Sequence, residues 1–538
     1  MRADCTPWPE DVAAGYRRAG YWRGDDLGTL LSGWAAANRD RTALVHRDRR
    51  VTYAELDEWA HRLAAGFAER GIRPGDRVLV QLPNIPEFVA VHFALLRAGA
   101  HPVFALPAHR ATEIGHLCAA SGAVGYVVAE GQVELAARAG EAFPALRHVF
   151  VVGEAGGFTP LAEVERDPVP LPRPDPSDVA FFLLSGGTTA LPKLVPRTHD
   201  DYAYQLRASV EVCSVTADDV YLAVLPIEFN LSLGCPGALG TLHAGGTVVL
   251  VEEATAGTCF ELVERERVTF TALAPTIVRL WLDEVAWTSR DLSSLRTVLV
   301  GGAPLPVELA RRTGPALGCV LTQSFGMAEG FLLYSAASDD EETRTTTQGR
   351  PLSPADELRI VDDEERDVAP GEAGHLLVRG PYTIRGYFRS PEHNAKAFTA
   401  DGFYRTGDIV RLTPSGSLAV EGRAKDVIIR GGDKISPAEV EGYLLEHPAV
   451  RQVAVVAMPD DLLGERTCAF VTAVGDPPAA VELKRMLHAR GVADFKLPDR
   501  VEFVDALPLT PLGKVDRGAL RAAIATGSRA GDRAERNR

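Results

Sequence analysis

The run Ser185-Gly-Gly-Thr-Thr-Ala-Leu-Pro-Lys193 places two glycines, three hydroxyls and a cation within nine residues. Glycines let backbone N–H groups come close to phosphate oxygens, while the hydroxyls and the lysine add donors and positive charge. That chemistry suits the phosphates of a nucleotide, with Ser185, Gly186, Gly187, Thr188, Thr189 and Lys193 as the contacting set. A Walker A loop is excluded: it needs glycine before the lysine and a hydroxyl residue after it, where this chain has Pro192 and Leu194. Taken alone, the stretch also reads as a polar hairpin turn. Downstream, Ser324-Phe-Gly-Met-Ala-Glu329 puts the Glu329 carboxylate after a glycine turn, where it suits Mg2+ carried by ATP. Asp408 closes Tyr404-Arg-Thr-Gly-Asp408, and an acceptor-only carboxylate can take hydrogen bonds from both hydroxyls of a ribose. Gly422-Arg423 and Pro511-Leu-Gly-Lys514 complete the series. Singly, these are a surface glutamate, a Gly-Asp turn and a loop lysine; their order along one chain is what points to a nucleotide site.

Strand-like runs alternate with helical patterns through the first 400 residues or so, which predicts α/β layering. Ala180-Phe-Phe-Leu-Leu184 reads as a strand running into the phosphate loop, and Arg77 to Leu82 as another. A helix is predicted after Asn84 and Pro86, with Phe88, Val91, Leu95 and Leu96 on one face. Thr247 to Val251 and Thr297 to Val300 are further buried-strand candidates, and the five prolines between Pro168 and Pro176 mark a connector. Near Arg423-Ala-Lys-Asp426 the pattern changes. Ser436-Pro-Ala-Glu439 has the serine, the first-turn proline and the later glutamate of a helix start, followed by Val440, Tyr443 and Leu444 on one face. Gln452 to Met458 then reads as a strand. The boundaries predicted are a core over 1–424, a small α+β domain over 425–526, and a charged, disordered tail over 527–538.

At 538 residues the chain exceeds one ordinary core. Its longest apolar stretch, Phe88 to Pro107, is interrupted by His92, Arg97 and His101, so no membrane span is expected. The first residues lack the apolar segment of a secretory signal, which favours the cytoplasm. Seven scattered cysteines without CxxC, and histidines without HExxH, argue against a disulfide framework or a zinc site. A net charge of −15 disfavours nucleic acid as a partner. The acidity is concentrated before Asp426; from there on, 16 basic residues nearly balance 17 acidic ones.

The ordered set resembles the adenylate-forming superfamily of acyl-CoA synthetases, luciferases and peptide-synthetase adenylation domains, over nearly the whole chain from Gly20 to Ile524. More narrowly, the chain is similar to free-standing aryl acid–AMP ligases of the 2,3-dihydroxybenzoate and salicylate kind. The segments that carry this are His101-Pro-Val-Phe-Ala-Leu-Pro, Pro196-Arg-Thr-His-Asp-Asp-Tyr, Phe325-Gly-Met-Ala-Glu-Gly and Arg379-Gly-Pro-Tyr-Thr-Ile-Arg-Gly-Tyr. The resemblance implies a large α/β N-terminal domain of three subdomains, two layered α/β sheets and a small β-barrel-like part, under a small mobile α+β lid. It implies ATP and Mg2+, with Glu329 catalytic and on the metal through ATP. Gly301, Gly302, Ala303, Gln323, Ser324 and Phe325 would flank adenine, and Asp408 and Arg423 would hold the ribose and its phosphate. Lys514 would bridge carboxylate and α-phosphate. Lys425 falls at the hinge, and Gly431, Gly432 and Lys434 on the loop that serves a second, thiol-attack step. The acceptor thiol would be the phosphopantetheine of an aryl carrier protein, or coenzyme A; no motif separates the two.

Pro226-Ile-Glu-Phe-Asn-Leu-Ser-Leu-Gly-Cys-Pro-Gly237 resembles the segment that shapes the acid pocket of these ligases. Phe229, Asn230, Cys235, Gly302 and Leu332 are the implied lining. Where relatives that take α-amino acids carry aspartate, this chain has Asn230, and a neutral amide suits an aromatic acid with an ortho hydroxyl. Cysteine bonds a 3-hydroxyl poorly and leucine fills its space, so Cys235 and Leu332 favour salicylate over 2,3-dihydroxybenzoate. Three positions depart from the pattern: Ala190 in place of glycine, Phe229 in place of histidine and Leu231 in place of tyrosine. Such a pocket also admits 3-hydroxyanthranilate or 3-hydroxypicolinate. The pathway implied is siderophore or aryl-capped natural-product biosynthesis; a luciferase-like oxidative enzyme is the alternative of a different class.

Overall fold

A computed structural model describes residues 4–185, 191–430, 433–460, 462–490, 492–510 and 514–526. The tail expected to be disordered, 527–538, lies outside them. Four sheets organise the chain. The first has nine strands, and its centre is parallel: Thr42–His46, Thr247–Leu250, Val220–Ala223, Phe270–Leu273, Thr297–Val300 and Val320–Met327 lie side by side in that order. Antiparallel strands flank it, Arg49–Thr52 at one edge and Gly330–Tyr334 with Arg350–Pro351 at the other. The second has seven strands. It is parallel from Thr159–Pro160 across to Val179–Leu184 and ends in the antiparallel Leu194–Thr198.

The predicted helix after Asn84 runs from Pro86 to Arg97, with isoleucine at the cap and proline in its first turn. Its burial exceeds the single apolar face expected: every residue from Phe88 to Arg97 is buried. Helices Leu27–Asn38 and Tyr53–Glu69 pack on it, and one continuous apolar cluster joins it to residues of both large sheets. A helix hydrophobic nearly all round is one enclosed by protein on all sides.

The third sheet, in the part expected to be barrel-like, is a four-stranded antiparallel meander of Glu357–Val361, Ala373–Arg379, Tyr404–Leu412 and Leu418–Arg423. The fourth sheet begins at Ile428. Its long pair, Val450–Asp460 and Gly464–Ala473, is flanked by Ile428–Arg430 with Asp433–Ile435 and by the parallel strand Arg500–Phe503. Its core is its own: the apolar clusters on its two faces draw only on residues from Ile428 onward. Ser436 caps the predicted helix, Pro437–Leu444, by accepting from the Glu439 N–H. Glu439 does not return the bond; its oxygens take Lys496 Nζ at 2.7 and 2.8 Å. No helix among the described residues is long and apolar enough to cross a membrane.

Candidate active site

Strands Val179–Leu184 and Leu194–Thr198 form a hairpin that Ser185 and Lys193 close. The Ser185 N–H donates to the Lys193 carbonyl and the Lys193 N–H to Ser185 Oγ, both at 3.0 Å. Gly186, Gly187, Thr188, Thr189 and Ala190 lie outside the described residues. Lys193 Nζ stands 5.7 Å from the ring centre of Tyr387, a cation–π arrangement. The Tyr387 hydroxyl donates to Glu329 Oε1 at 2.6 Å and lies 2.9 Å from the Tyr404 hydroxyl. Burial, then the Glu329 charge, push the Tyr387 phenol far up, so it remains a donor that aims the carboxylate. The loop lysine and the carboxylate of the glycine turn, 136 positions apart by number, thus meet around one ring.

A second group gathers around Asp408. It faces Arg423 across an antiparallel pair, with Arg423 Nε 2.8 Å from Oδ1. Thr406 ties both ends, its hydroxyl accepting from the Asp408 N–H and its carbonyl from Arg423 Nη1, each at 3.0 Å. Burial pushes the Asp408 carboxyl up to about 6 against the pull of Arg423, which leaves it mainly ionised at neutral pH. Its Oδ2 is buried without a partner among the described residues. Lys514 reaches this place from the C-terminal part of the chain: a methyl built on Gly302 would lie 4.0 Å from Lys514 Cε. Burial and Arg423 lower the Lys514 pKa, and Asp408 opposes them. The lysine's backbone is pinned by Thr510, whose N–H donates to the Lys514 carbonyl at 2.7 Å.

Gly301 and Gly302 follow directly from the parallel strand Thr297–Val300, at the carboxyl end where open α/β sheets form their binding crevices. Gly301 has no room for a side chain, because a Cβ would stand 2.5 Å from Ser324 Oγ, and Gly302 takes φ +84°. Ala303 is exposed beside them. On the neighbouring strand Ser324 is buried and Phe325 partly so. Gln323, expected beside adenine, is buried on the same strand. Its Nε2 donates to the Arg344 carbonyl at 2.9 Å and its Oε1 accepts from Gln348 at 3.4 Å.

The segment expected to shape the acid pocket adjoins this turn: Leu231 Cδ2 would lie 3.2 Å from a Cβ on Gly301. Asn230 begins the short helix Asn230–Gly234, with Phe229, half-buried, in front of it. Asn230 Oδ1 accepts from Tyr202 Oη and Gln205 Nε2, and its Nδ2 donates to the Met327 carbonyl, all at 3.0 Å. Cys235 is buried with its sulfur 3.3 Å from Gln205 Nε2. Leu332 is buried opposite Gly326, and its Cδ2 occupies the space a side chain there would need. Glu228 was no candidate from sequence, yet it is buried with no side-chain partner for its carboxyl group among the described residues, and burial pushes it up to about 8. Arg197, Tyr202 and Tyr387 fall in the segments that carry the family resemblance but were given no role there, and Gln205 falls in none of them. The one local signal was Thr198-x-x-Asp201, a helix cap that the structure forms in full.

The family model for AMP-binding enzymes matches residues 31–388, and the model for their C-terminal domain matches residues 439–514. The chain belongs to the AMP-binding enzyme family. It is 52% identical over 524 residues to the 2,3-dihydroxybenzoate-AMP ligase of Bacillus subtilis (strain 168), covering 96% of this chain and 97% of that protein. It is 47% identical over 536 residues to the salicyl-AMP ligase / salicyl-S-ArCP synthetase of Mycobacterium tuberculosis (strain ATCC 25618 / H37Rv), covering 97% and 95%. Among solved structures, the apo structure of Mycobacterium smegmatis MbtA superposes with a TM-score of 0.77 at 47% identity, over 97% of this chain and 99% of that one.

In this AMP-binding enzyme, Lys425 lies in the single helical turn Ala424–Asp426 that links the third sheet to the fourth. Gly431 and Gly432 lie outside the described residues, and Lys434 falls in the strand Asp433–Ile435. Among the described residues, Ser436 Oγ donates to the Glu421 carbonyl at 2.7 Å, Arg279 Nη1 donates to the Arg451 carbonyl, and Arg451 approaches Asp283 at 3.4 Å, joining the two parts. Among the described residues no three metal-ligating side chains converge.

Proposed function

We propose that this enzyme joins an ortho-hydroxy aromatic acid, salicylate foremost, to AMP with release of pyrophosphate. The observation that carries the reading is Lys514 beside the Gly302 turn and the Asp408–Arg423 pair, next to the wall of the acid pocket. A carboxylate attacking the α-phosphorus of ATP gathers negative charge between two anions, and a fixed ammonium there stabilises it. Asp408 Oδ2 is an acceptor in need of a hydroxyl, as a ribose supplies. Glu329, aimed by Tyr387, would hold Mg2+ through the phosphates, and Ser185 and Lys193 would hold the phosphates themselves. When bound, the metal would supply neutralisation of phosphate charge. Cys235 and Leu332, buried where a 3-hydroxyl would need room and a partner, favour salicylate.

The aryl group then passes to the phosphopantetheine thiol of an aryl carrier protein, with residues 425–526 turning about Lys425 to exchange Lys514 for the loop around Lys434. A likeness to a salicyl-S-ArCP synthetase supports this acceptor, while an equal likeness, 47% identity, to a salicylyl-CoA synthase keeps coenzyme A as the alternative. A cytoplasmic setting in siderophore or aryl-capped natural-product synthesis follows, and seven cysteines free of disulfides accord with it.

The test is acid-dependent ATP–pyrophosphate exchange with salicylate, 2,3-dihydroxybenzoate, 3-hydroxyanthranilate and benzoate. Salicylate should give the highest kcat/KM. Preference for 2,3-dihydroxybenzoate would overturn the role given to Cys235 and Leu332, and exchange with none of the acids would overturn the aryl-acid reading. Loading of radiolabelled salicylate onto a carrier protein, against coenzyme A, decides the acceptor.

A further inference from the structure

Asn230 stands at the end of a hydrogen-bond chain whose direction is fixed from both sides. Arg197 is completely buried at the inner end, and a guanidinium can only donate. Its Nη2 donates to Gln205 Oε1 at 2.9 Å, so the other end of the Gln205 amide must be the NH2. That Nε2 faces three acceptors, Asn230 Oδ1 at 3.0 Å, the Gly234 carbonyl at 3.2 Å and Cys235 Sγ at 3.3 Å. At the outer end the Met327 carbonyl can only accept, and it takes Asn230 Nδ2 at 3.0 Å. Two backbone carbonyls and one cation therefore impose the same orientation on both amides. Tyr202 Oη, donating to Asn230 Oδ1 at 3.0 Å, fills the second lone pair of that oxygen.

Arg197 cannot turn to release the chain. Its Nε donates to Asp201 Oδ1 at 3.0 Å, and its Nη1 and Nη2 reach the carbonyls of Ala328 and Tyr382 at 3.1 and 3.2 Å. Asp201 is held in turn by the Thr198 N–H and hydroxyl at 2.7 and 2.9 Å. Of the four hydrogen bonds an asparagine amide can make, three are filled by protein. The one left is an N–H.

We propose that Gln205, oriented by Arg197, is a specificity-determining residue: it makes Asn230 a pure donor toward the acid, so the pocket selects aromatic acids with an acceptor beside the carboxyl group and rejects those with only donors there. This rests on the aryl-acid reading above. A phenolic oxygen or a ring nitrogen meets the Asn230 N–H. An aniline NH2, whose lone pair is delocalised into the ring, presents N–H against N–H. Turning Asn230 over does not rescue such a substrate, because Oδ1 would then face the Met327 carbonyl and the NH2 would face that of Gln205.

The test replaces Gln205 and compares salicylate with anthranilate in ATP–pyrophosphate exchange, each variant first shown to be folded by its thermal unfolding curve. Gln205→Glu keeps an acceptor for Arg197 but sets a second acceptor against Asn230 Oδ1, so the Met327 carbonyl alone favours the original orientation and it is no longer imposed from both sides. The salicylate-to-anthranilate ratio of kcat/KM should fall by about tenfold or more, the scale of a buried hydrogen bond lost on one substrate and gained on the other. Should that variant not fold, Gln205→Met, of equal length and without polarity, carries the test, with a fall in the same ratio expected. A merely structural role would weaken both acids alike and leave the ratio unmoved, so an unchanged ratio in a folded variant overturns the proposal. Preference of the unaltered enzyme for anthranilate overturns it as well. No exchange by the unaltered enzyme with either acid, with 2,3-dihydroxybenzoate or with benzoate overturns the aryl-acid reading and this proposal with it, which separates the two failures.

Discussion

One carboxyl oxygen of Asp408 lies 2.8 Å from Arg423 Nε, while the other, equally enclosed, has no partner among the described residues. An acceptor left buried and unpaired costs about 1–3 kcal/mol, which a hydroxyl donor would recover. Asp408→Asn should therefore raise the KM for ATP by about tenfold or more while leaving the KM for the acid near its original value. Protonation has the same effect as substitution. With its pKa raised to about 6, Asp408 loses its charge as pH falls through that value, and ATP binding should weaken below about pH 6. Steady-state kinetics from pH 5 to 8 would show that limb in the native enzyme and its disappearance in Asp408→Asn.

Gly301 and Gly302 are adjacent and should respond differently to alanine. At Gly302 a methyl meets nothing nearer than 4.0 Å, and the cost is that of a positive φ, about 1 kcal/mol. At Gly301 it would meet Ser324 Oγ at 2.5 Å, with the Ser324 carbonyl and Leu231 both at 3.2 Å. Gly301→Ala should thus damage nucleotide and acid affinity together, whereas Gly302→Ala should mainly lower the unfolding midpoint. Isothermal titration beside thermal melts distinguishes them.

Lys514→Ala removes a preorganised cation without emptying the acid pocket. Exchange should drop by more than about a hundredfold, the scale of losing one such contact in a water-poor site. Equilibrium binding of salicylate should fall far less than exchange, because the contacts of Asn230 and Cys235 described above do not involve Lys514.

Glu228 offers a stability test with a definite sign. Its folded-state pKa, about 8, exceeds the ordinary 4.5, so between those values the folded chain holds a proton that the unfolded chain has lost. Stability contributed by this group is therefore lost as pH rises from about 4.5 through 8. Glu228→Gln removes the charge to be buried and should gain on the order of 1–3 kcal/mol at alkaline pH, and progressively less toward acid pH. Denaturant melts at pH 5 and pH 8.5 would check it; an equal gain at both would show that ionisation plays no part.

What the sequence made legible was whatever depends on glycine, on charge or on alternation. The strand into Ser185 and the helix cap at Ser436 appear where the pattern put them, as do the strands Arg77–Gln81 and Thr297–Val300. The meeting of Gly302, Asp408 and Lys514 is different: no spacing rule connects residues so far apart, and only the family likeness anticipated it. Arg197 and Gln205 escaped notice for a physical reason. The helix His199–Val212 that carries Gln205 is buried on several sides, polar residues included, so it lacks the two-faced pattern that would mark an inward glutamine. Glu228 escaped for the opposite reason, since nothing local distinguishes an enclosed glutamate from a solvated one. Gln323 was anticipated from its motif, but its partners, Arg344 and Gln348, lie beyond any local reading.

The separate apolar core of the chain beyond Ile428 also bears on synthesis in the cell. The large cluster that unites the two α/β sheets is complete by Leu418, almost a hundred positions before Lys514 leaves the ribosome. A polypeptide that stopped in that interval would possess the ribose carboxylate and the acid cleft but not the ammonium. Under the function proposed above, such a fragment, if folded, would bind nucleotide and aromatic acid without joining them.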